Sequence, residues 1–327
     1  MRIWLILGLT LLAVGTGSAV LAAQTSDDAA IAVLKQQNAM MAPNAGRAMM
    51  LSSARIGNRI IAVGDHGVVL LSDDKGTSFR QAKAVPTRVT LTDVYFVDGN
   101  EGWAAGHWGV VLHTADGGET WRLQRSDASV DQPLFAIHFT DKLHGLAAGL
   151  WSLLIRTEDG GKSWQKVPLP IPAGANKADK NLYDIISDGK DLIIIAAEQG
   201  WIYRSADRGL SWAAIATGGH ASYWTGLMLD DASILVAGLT GKVARSLDSG
   251  RTWTLIESGS KNSSITSLVQ VRDGSIWGVG LDGLVLVSRD RGSTYQVTQR
   301  EDRLSMTCLL PTSPLIASSP TGFVRVQ

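Results

Sequence analysis

The sequence predicts an all-β protein, a seven-bladed β-propeller of four-stranded blades, and three observations carry that prediction. An eight-residue turn, Ser/Thr-x-Asp-x-Gly-x-Ser/Thr-aromatic, occurs six times, with its Asp residues spaced 42, 43, 48, 41 and 42 apart. In phase with it, a small residue after a short turn opens an apolar strand: GDHGVVLLS (64–72), GHWGVVLHT (106–114), GLWSLLIRT (149–157), AEQGWIYRS (197–205), GLTGKVARS (238–246), GLDGLVLVS (280–288) and SSPTGFVRV (318–326). Between these signals run short apolar segments such as LTDVYFVDG (91–99) and GWAAG (102–106), of strand length and too closely punctuated for long helices. A period near 40 residues holding about four strands is the signature of a propeller blade. The Trp-Asp pair of the commonest propeller repeat does not occur, and Gly-His, found only at 106–107 and 219–220, does not recur once per repeat, which points to another class.

Taking the chain in order, residues 1–23 read as a signal peptide. Arg2 supplies the positive start, Ile3 to Val14 the apolar core, and Val20-Leu21-Ala22 the residues before a cut near Ala22 or Ala23. The rival is an uncleaved anchor, since residues 3–23 carry no charge and are long enough to span a bilayer. The expected location is the periplasm, or the thylakoid lumen in a photosynthetic host. Residues 24–46 form an Ala-rich N-terminal segment with a short helix expected over 29–37. The last repeat supplies three strands, in LSMTCLLP, PLIAS and GFVRVQ. An open blade exposes a sheet edge, so the segment around 38–45 is expected to add the outer strand and close the ring. The propeller proper is 47–327.

The six turns are SDDKGTSF (72–79), TADGGETW (114–121), TEDGGKSW (157–164), SADRGLSW (205–212), SLDSGRTW (246–253) and SRDRGSTY (288–295). Asp74, Asp116, Asp159, Asp207, Asp248 and Asp290 are expected to accept backbone N–H groups just after them, while Gly takes a positive φ. The aromatic residue is expected between neighbouring blades. A calcium loop needs alternating oxygen ligands and a terminal Glu; the turn has neither, so these Asp-box turns are read as structural. No metal or cofactor is expected.

Composition narrows the function. Thirty basic residues balance thirty acidic ones, leaving no electrostatic footprint for nucleic acid. The single cysteine, Cys308, excludes a disulfide frame and a Cys metal cluster, and is expected as a small buried residue on the inner strand of the last blade.

In a propeller the second-to-third and fourth-to-first connections share one face, and the Asp turns lie on the other. Blades one to three place His66, Trp108 and Trp151 at matched turn tips, where the fold requires neither Trp nor His. Exposed aromatics grouped on a rim suggest a binding surface; the alternative is that both Trp fold back as local packing. The long connection 167–183 carries Lys177 and Lys180 and exceeds the length of ordinary loops. The connection 216–226 offers His220, Tyr223 and Trp224. Arg88, Arg125, Lys261, Arg300 and Arg303 fall in or near these connections, and arginines suit acidic groups on a partner.

Catalysis is tested on the same residues. A glycosidase needs two carboxylates across a sugar; Asp93 and Asp184, with Tyr183 beside the second, lie on inner strands two blades apart. A sialidase-like start would read Arg-Ile-Pro, whereas residues 54–59 read ARIGNR. No zinc-helix, phosphate-loop or Ser-His-Asp signature is present. The expectation is a non-enzyme; the rival reading is a secreted glycan-binding or glycan-cleaving propeller.

The signal, the Asp turns and the phrase TRVTLTDVYFVDGNEGWAAGHWGVVLHTADGGETWRLQ (87–124) together resemble the photosystem II stability and assembly factor family of cyanobacteria and chloroplasts, which has relatives in non-photosynthetic bacteria. The likeness covers about residues 45–327. It implies a seven-bladed lumenal or periplasmic scaffold without enzymatic activity that binds membrane-protein assembly intermediates, in part through an arginine-rich patch. Arg88 and Arg125 are the nearest candidates for that patch here. The Trp pair on the rim has no assigned counterpart, which suits a relative whose client is another envelope complex. The expected partner is thus a protein, a membrane or envelope complex, met by a monomer peripheral to the membrane.

Overall fold

The computed structural model describes residues 37–127 and 129–326. The signal segment and most of the expected helix over 29–37 lie outside them. Seven antiparallel sheets are arranged as blades: six have four strands in sequential order, and the seventh has three. The innermost strands are Met50–Ile56, Leu91–Phe96, Leu134–Phe139, Leu182–Ser187, Tyr223–Met228, Ile265–Gln270 and the short Leu309–Leu310. Consecutive innermost strands pack against one another around a central channel.

Second strands such as Ile193–Ala197 and Ile234–Gly238 are buried at every position. Their continuous apolar runs follow from being sandwiched between blades on both faces. The outermost strand Gln296–Gln299 is exposed throughout. The glycine that ends the second strand in every blade but the fourth and seventh has a steric cause: a Cβ on Gly149 would strike the Pro133 carbonyl oxygen, and one on Gly280 the Ser264 carbonyl oxygen.

The Asp turns are built as the sequence implies. Asp116 Oδ1 accepts the Thr114 hydroxyl at 2.8 Å and the Thr120 N–H at 2.9 Å, and Oδ2 accepts the Thr120 hydroxyl at 2.6 Å. Thr114 Oγ1 in turn accepts the Gly118 N–H at 3.0 Å. The closing Trp121 donates its indole N–H to the Gly118 carbonyl at 3.0 Å and sits in a core shared with Ile61, Val69 and Leu71 of the preceding blade. Trp164, Trp212, Trp253 and Tyr295 likewise pack into the core shared with the blade before their own, and Phe79 meets Phe323 of blade seven with ring centroids 4.3 Å apart.

Ring closure departs from expectation. Residues 38–45 form no strand, and no fourth strand joins blade seven among the described residues. The segment instead crosses the blade one–two side of the ring: Ala39 N–H donates to Val85 O at 2.8 Å, and Gln81 Nε2 to Met40 O at 2.8 Å. The 3-10 turn Ala45–Arg47 then rests against Gly322–Arg325 of blade seven. The seam is held by an apolar core in which Met50, Ile60 and Leu70 meet Cys308 and Leu310, and by side-chain bonds: Met50 N–H to Ser318 Oγ at 2.8 Å, Thr307 Oγ1 to Met50 O at 2.6 Å, and Ser53 Oγ to Leu309 O at 3.0 Å. Cys308 is buried beside Leu309–Leu310, and burial pushes its thiol up to about 12.

Candidate partner-binding face

The second-to-third connections are tight turns whose middle residue adopts the left-handed conformation: His66 (φ 57), Trp108 (φ 57), Trp151 (φ 53), Gln199 (φ 59), Thr240 (φ 54) and Asp282 (φ 57). This conformation is uncommon for residues other than Gly, Asn and Asp, so Trp there is not chosen by backbone preference. The two tryptophans differ in surroundings. Trp108 is half-buried and packs against the core between blades one and two, and its carbonyl accepts the Asp127 N–H at 2.9 Å. Trp151 remains 57% exposed. Its backbone N–H is fixed by Asn181 Oδ1 at 3.1 Å, and it edges a groove of about 490 Å³ with Gln132, Lys166, Pro168 and Leu169.

His66 is exposed and shares a hollow of about 700 Å³ with Met40, Ala42, Arg47, Val68 and Arg88. Arg88 donates its Nε to Asn38 O at 3.0 Å, leaving the guanidinium at the edge of that hollow. Arg125 is a brace: Nη1 donates to Gly109 O at 2.6 Å and Nη2 to Asp127 Oδ2 at 3.3 Å, and burial lowers its pKa. It fixes the turn that carries Trp108. Arg300 and Arg303 are paired with Asp302 and Asp282 at 2.6 and 2.8 Å. Lys180 is 9% exposed and donates to Gln199 Oε1 at 2.6 Å.

Tyr223 requires correction. Its side chain is fully buried in the core between blades four and five, with its hydroxyl bonded to Thr217 Oγ1 at 2.8 Å, so it presents nothing to a partner. Its neighbour Trp224 is half-buried at the start of the innermost strand, at the channel mouth. Two further aromatics, absent from the expected binding residues, stand there. Phe135 and Tyr183, half-buried, hold equivalent positions in blades three and four and stack with centroids 5.6 Å apart. The signal is present in the sequence, since all three stand at a constant offset before the end of their second strands.

The channel carboxylates serve the ring. Asp93 Oδ1 accepts the Ser52 hydroxyl of blade one at 2.6 Å and the Val94 N–H at 2.8 Å, and Oδ2 accepts the Ile137 N–H of blade three at 2.8 Å. Asp184 Oδ2 accepts the Gly226 N–H of blade five at 2.7 Å. Burial at the channel wall, then repulsion from Asp93, raises the Asp184 carboxyl to about 7; burial also raises Asp93. Among the described residues no group of three His, Cys, Asp or Glu side chains converges as a metal site would require.

A family model described as photosynthesis system II assembly factor YCF48 matches residues 81–225. No curated protein matches the chain. Among solved structures, one of YCF48 bound to D1 peptide superposes with a TM-score of 0.67 at 18% identity, covering 88% of this chain and 94% of that one. YCF48 from Cyanidioschyzon merolae gives 0.65 at 15% identity, covering 85% and 94%. The β-propeller domain of Cps50 (Swd1) from Myceliophteria thermophila gives 0.68 at 13%, covering 85% and 95%. At such identities the structural likeness is one of fold. The chain's resemblance to the photosystem II assembly factor family is carried by the family model over 81–225.

Proposed function

We propose that this chain is an exported, non-catalytic propeller scaffold that binds a membrane-protein complex during its assembly or stabilisation, through the face bearing the second-to-third turns. The observation that carries the reading is Trp151, an indole 57% exposed on a rigid turn whose left-handed backbone gives Trp no local advantage. An exposed, preorganised Trp beside a groove is the kind of anchor that dominates protein interfaces. A YCF48 propeller bound to D1 peptide supports a protein segment as the ligand class. The channel carboxylates accept backbone N–H groups of the next blade, which favours a scaffold over hydrolysis. Export rests on the apolar, Arg-led segment 1–23.

The test is a tagged capture from native envelope, read by mass spectrometry, comparing wild type with Trp151→Ala. Capture of a membrane complex by wild type and its loss from a variant of unchanged melting temperature is the expected result. Equal capture by both removes Trp151 from the interface. Failure of wild type to capture any protein, with binding to a polysaccharide, overturns the reading in favour of a glycan ligand.

A further inference from the structure

Each of the first six innermost strands begins with a bulge. Pairing with the second strand skips one residue per blade: Leu51, Thr92, Phe135, Tyr183, Trp224 and Thr266. A bulge re-aims the side chain it carries. In blades two and six that side chain ties the ring together, since Thr92 Oγ1 donates to Leu134 O and Thr266 Oγ1 to Met306 O, both at 2.7 Å. Thr307 does the same between blades seven and one. Blades three, four and five replace this hydroxyl with aromatic rings and forgo the bond. Phe135, Tyr183 and Trp224 are half-buried, and none packs into the described inter-blade cores. Phe135 and Tyr183 stack across blades three and four, but none of the three rings fills an inter-blade core, and they sit on consecutive blades at the channel mouth, on the side of the Trp151 turn.

Their electrostatic setting is acidic. Asp184 follows Tyr183 on the same strand and accepts the Gly226 N–H; burial and Asp93 raise its carboxyl to about 7, so it adds negative charge behind the rings only from near neutral pH upward. Glu198, on the turn of the same blade, lies within electrostatic reach of the Tyr183 hydroxyl. Lys180, the cation nearest in sequence, is buried and committed to Gln199. Aromatic faces backed by carboxylates attract a cation, and guanidinium both stacks on rings and pairs with carboxylates. A partner carboxylate would be repelled there, and a neutral sugar, although it can stack on the rings and donate hydroxyls to the carboxylates, gains no charge pairing from them.

We infer that the channel mouth formed by Phe135, Tyr183 and Trp224 takes an arginine side chain from an extended segment of the protein partner. This rests on the scaffold reading above and names the chemistry of its partner. The probe is the capped peptide acetyl-Gly-Gly-Arg-Gly-Gly-amide against the same peptide with citrulline, which keeps the shape and drops the charge. Binding is followed by NMR on the tryptophan indole N–H signals. Arginine should bind at least tenfold more tightly than citrulline. Tyr183→Leu/Trp224→Leu, which keeps apolar bulk without the ring faces, should lose at least tenfold at unchanged melting temperature.

Equal binding of the two peptides, unaltered binding by the leucine variant, or no indole response up to millimolar peptide overturns the inference. So does a response to cellohexaose that the leucine variant abolishes while the arginine peptide has no effect. Envelope capture separates this site from the broader reading. A partner captured equally by wild type and the leucine variant removes the arginine site and leaves the scaffold standing. An arginine peptide that binds at these rings, with no partner captured by wild type, leaves the site and removes the scaffold.

Discussion

Asp116 and Trp121 show how one short turn acts twice, first locally and then across blades. The carboxylate gathers the Thr114 and Thr120 hydroxyls and the Thr120 N–H. That fixes Trp121 where its ring fills the space beside Leu71 and Ile61, at 4% exposure. Truncating so large a buried ring leaves a cavity the rigid blades cannot close, so Trp121→Ala should cost about 3–5 kcal/mol. Urea denaturation monitored by circular dichroism measures this, with Leu123→Ala on the exposed outer strand as a control expected within about 0.5 kcal/mol of wild type. A loss below about 1 kcal/mol at Trp121 would mean the turn aromatics are not inter-blade packing. The turn is readable in the sequence because all its bonds lie within a few residues. The adjacent Tyr223 and Trp224 are not, because a bulge between Tyr223 and Thr225 decides which ring enters the core and which faces the channel mouth. Neither residue's chemistry states that parity.

At the scale of the blade, the repeat makes each sheet legible and leaves its joints hidden. Strand order within a blade follows from short connections, but ring closure depends on pairs far apart in sequence. A strand over residues 38–45 is expected only because blade seven lacks one, an inference from need. The segment spends its backbone groups on Val85 and Gln81 instead. Closure therefore relies on the apolar core shared by blades one and seven and on bonds such as Thr307 Oγ1 to Met50 O, at a seam where blade seven has no fourth strand among the described residues. Thr307→Val keeps the shape and leaves a buried carbonyl short of a partner, which should cost about 1–3 kcal/mol. Hydrogen exchange should show faster opening across 309–325 and unchanged protection in blades three and four. Uniform loosening of all blades would show that the seam is not the weak joint.

Across the whole molecule, two sets of carboxylates pull stability in opposite directions with pH. In the Asp turns, the Ser78, Ser163 and Thr252 hydroxyls, then the N–H groups of the same residues, hold Asp74, Asp159 and Asp248 at about 2, below the ordinary 3.8. Their folded state binds fewer protons than the unfolded chain, so their contribution is present above about 3.8 and is lost as pH falls toward 2. Asp184 is the reverse. Burial first, then Asp93, raises it from 3.8 to about 7, so the folded state favours the neutral acid. Its contribution is full below 3.8 and is lost as pH climbs to about 7. Each tenfold change in proton affinity is worth about 1.4 kcal/mol, and screening by channel water brings the decline to roughly 2–4 kcal/mol. Melting temperature should therefore fall on both sides of about pH 4, steeply below it through the Asp turns and progressively between about pH 4 and 7 through Asp184. Asp184→Asn keeps an acceptor for the Gly226 N–H while removing the titration, and should flatten the upper limb and leave the acid limb intact. Asp93 is raised in the same direction, so Asp93→Asn should remove the remainder of the upper slope. An Asp184→Asn variant that keeps the full decline between about pH 4 and 7 would show that the channel carboxylate is ionised throughout, and the ring would then tolerate a charge that its buried position penalises.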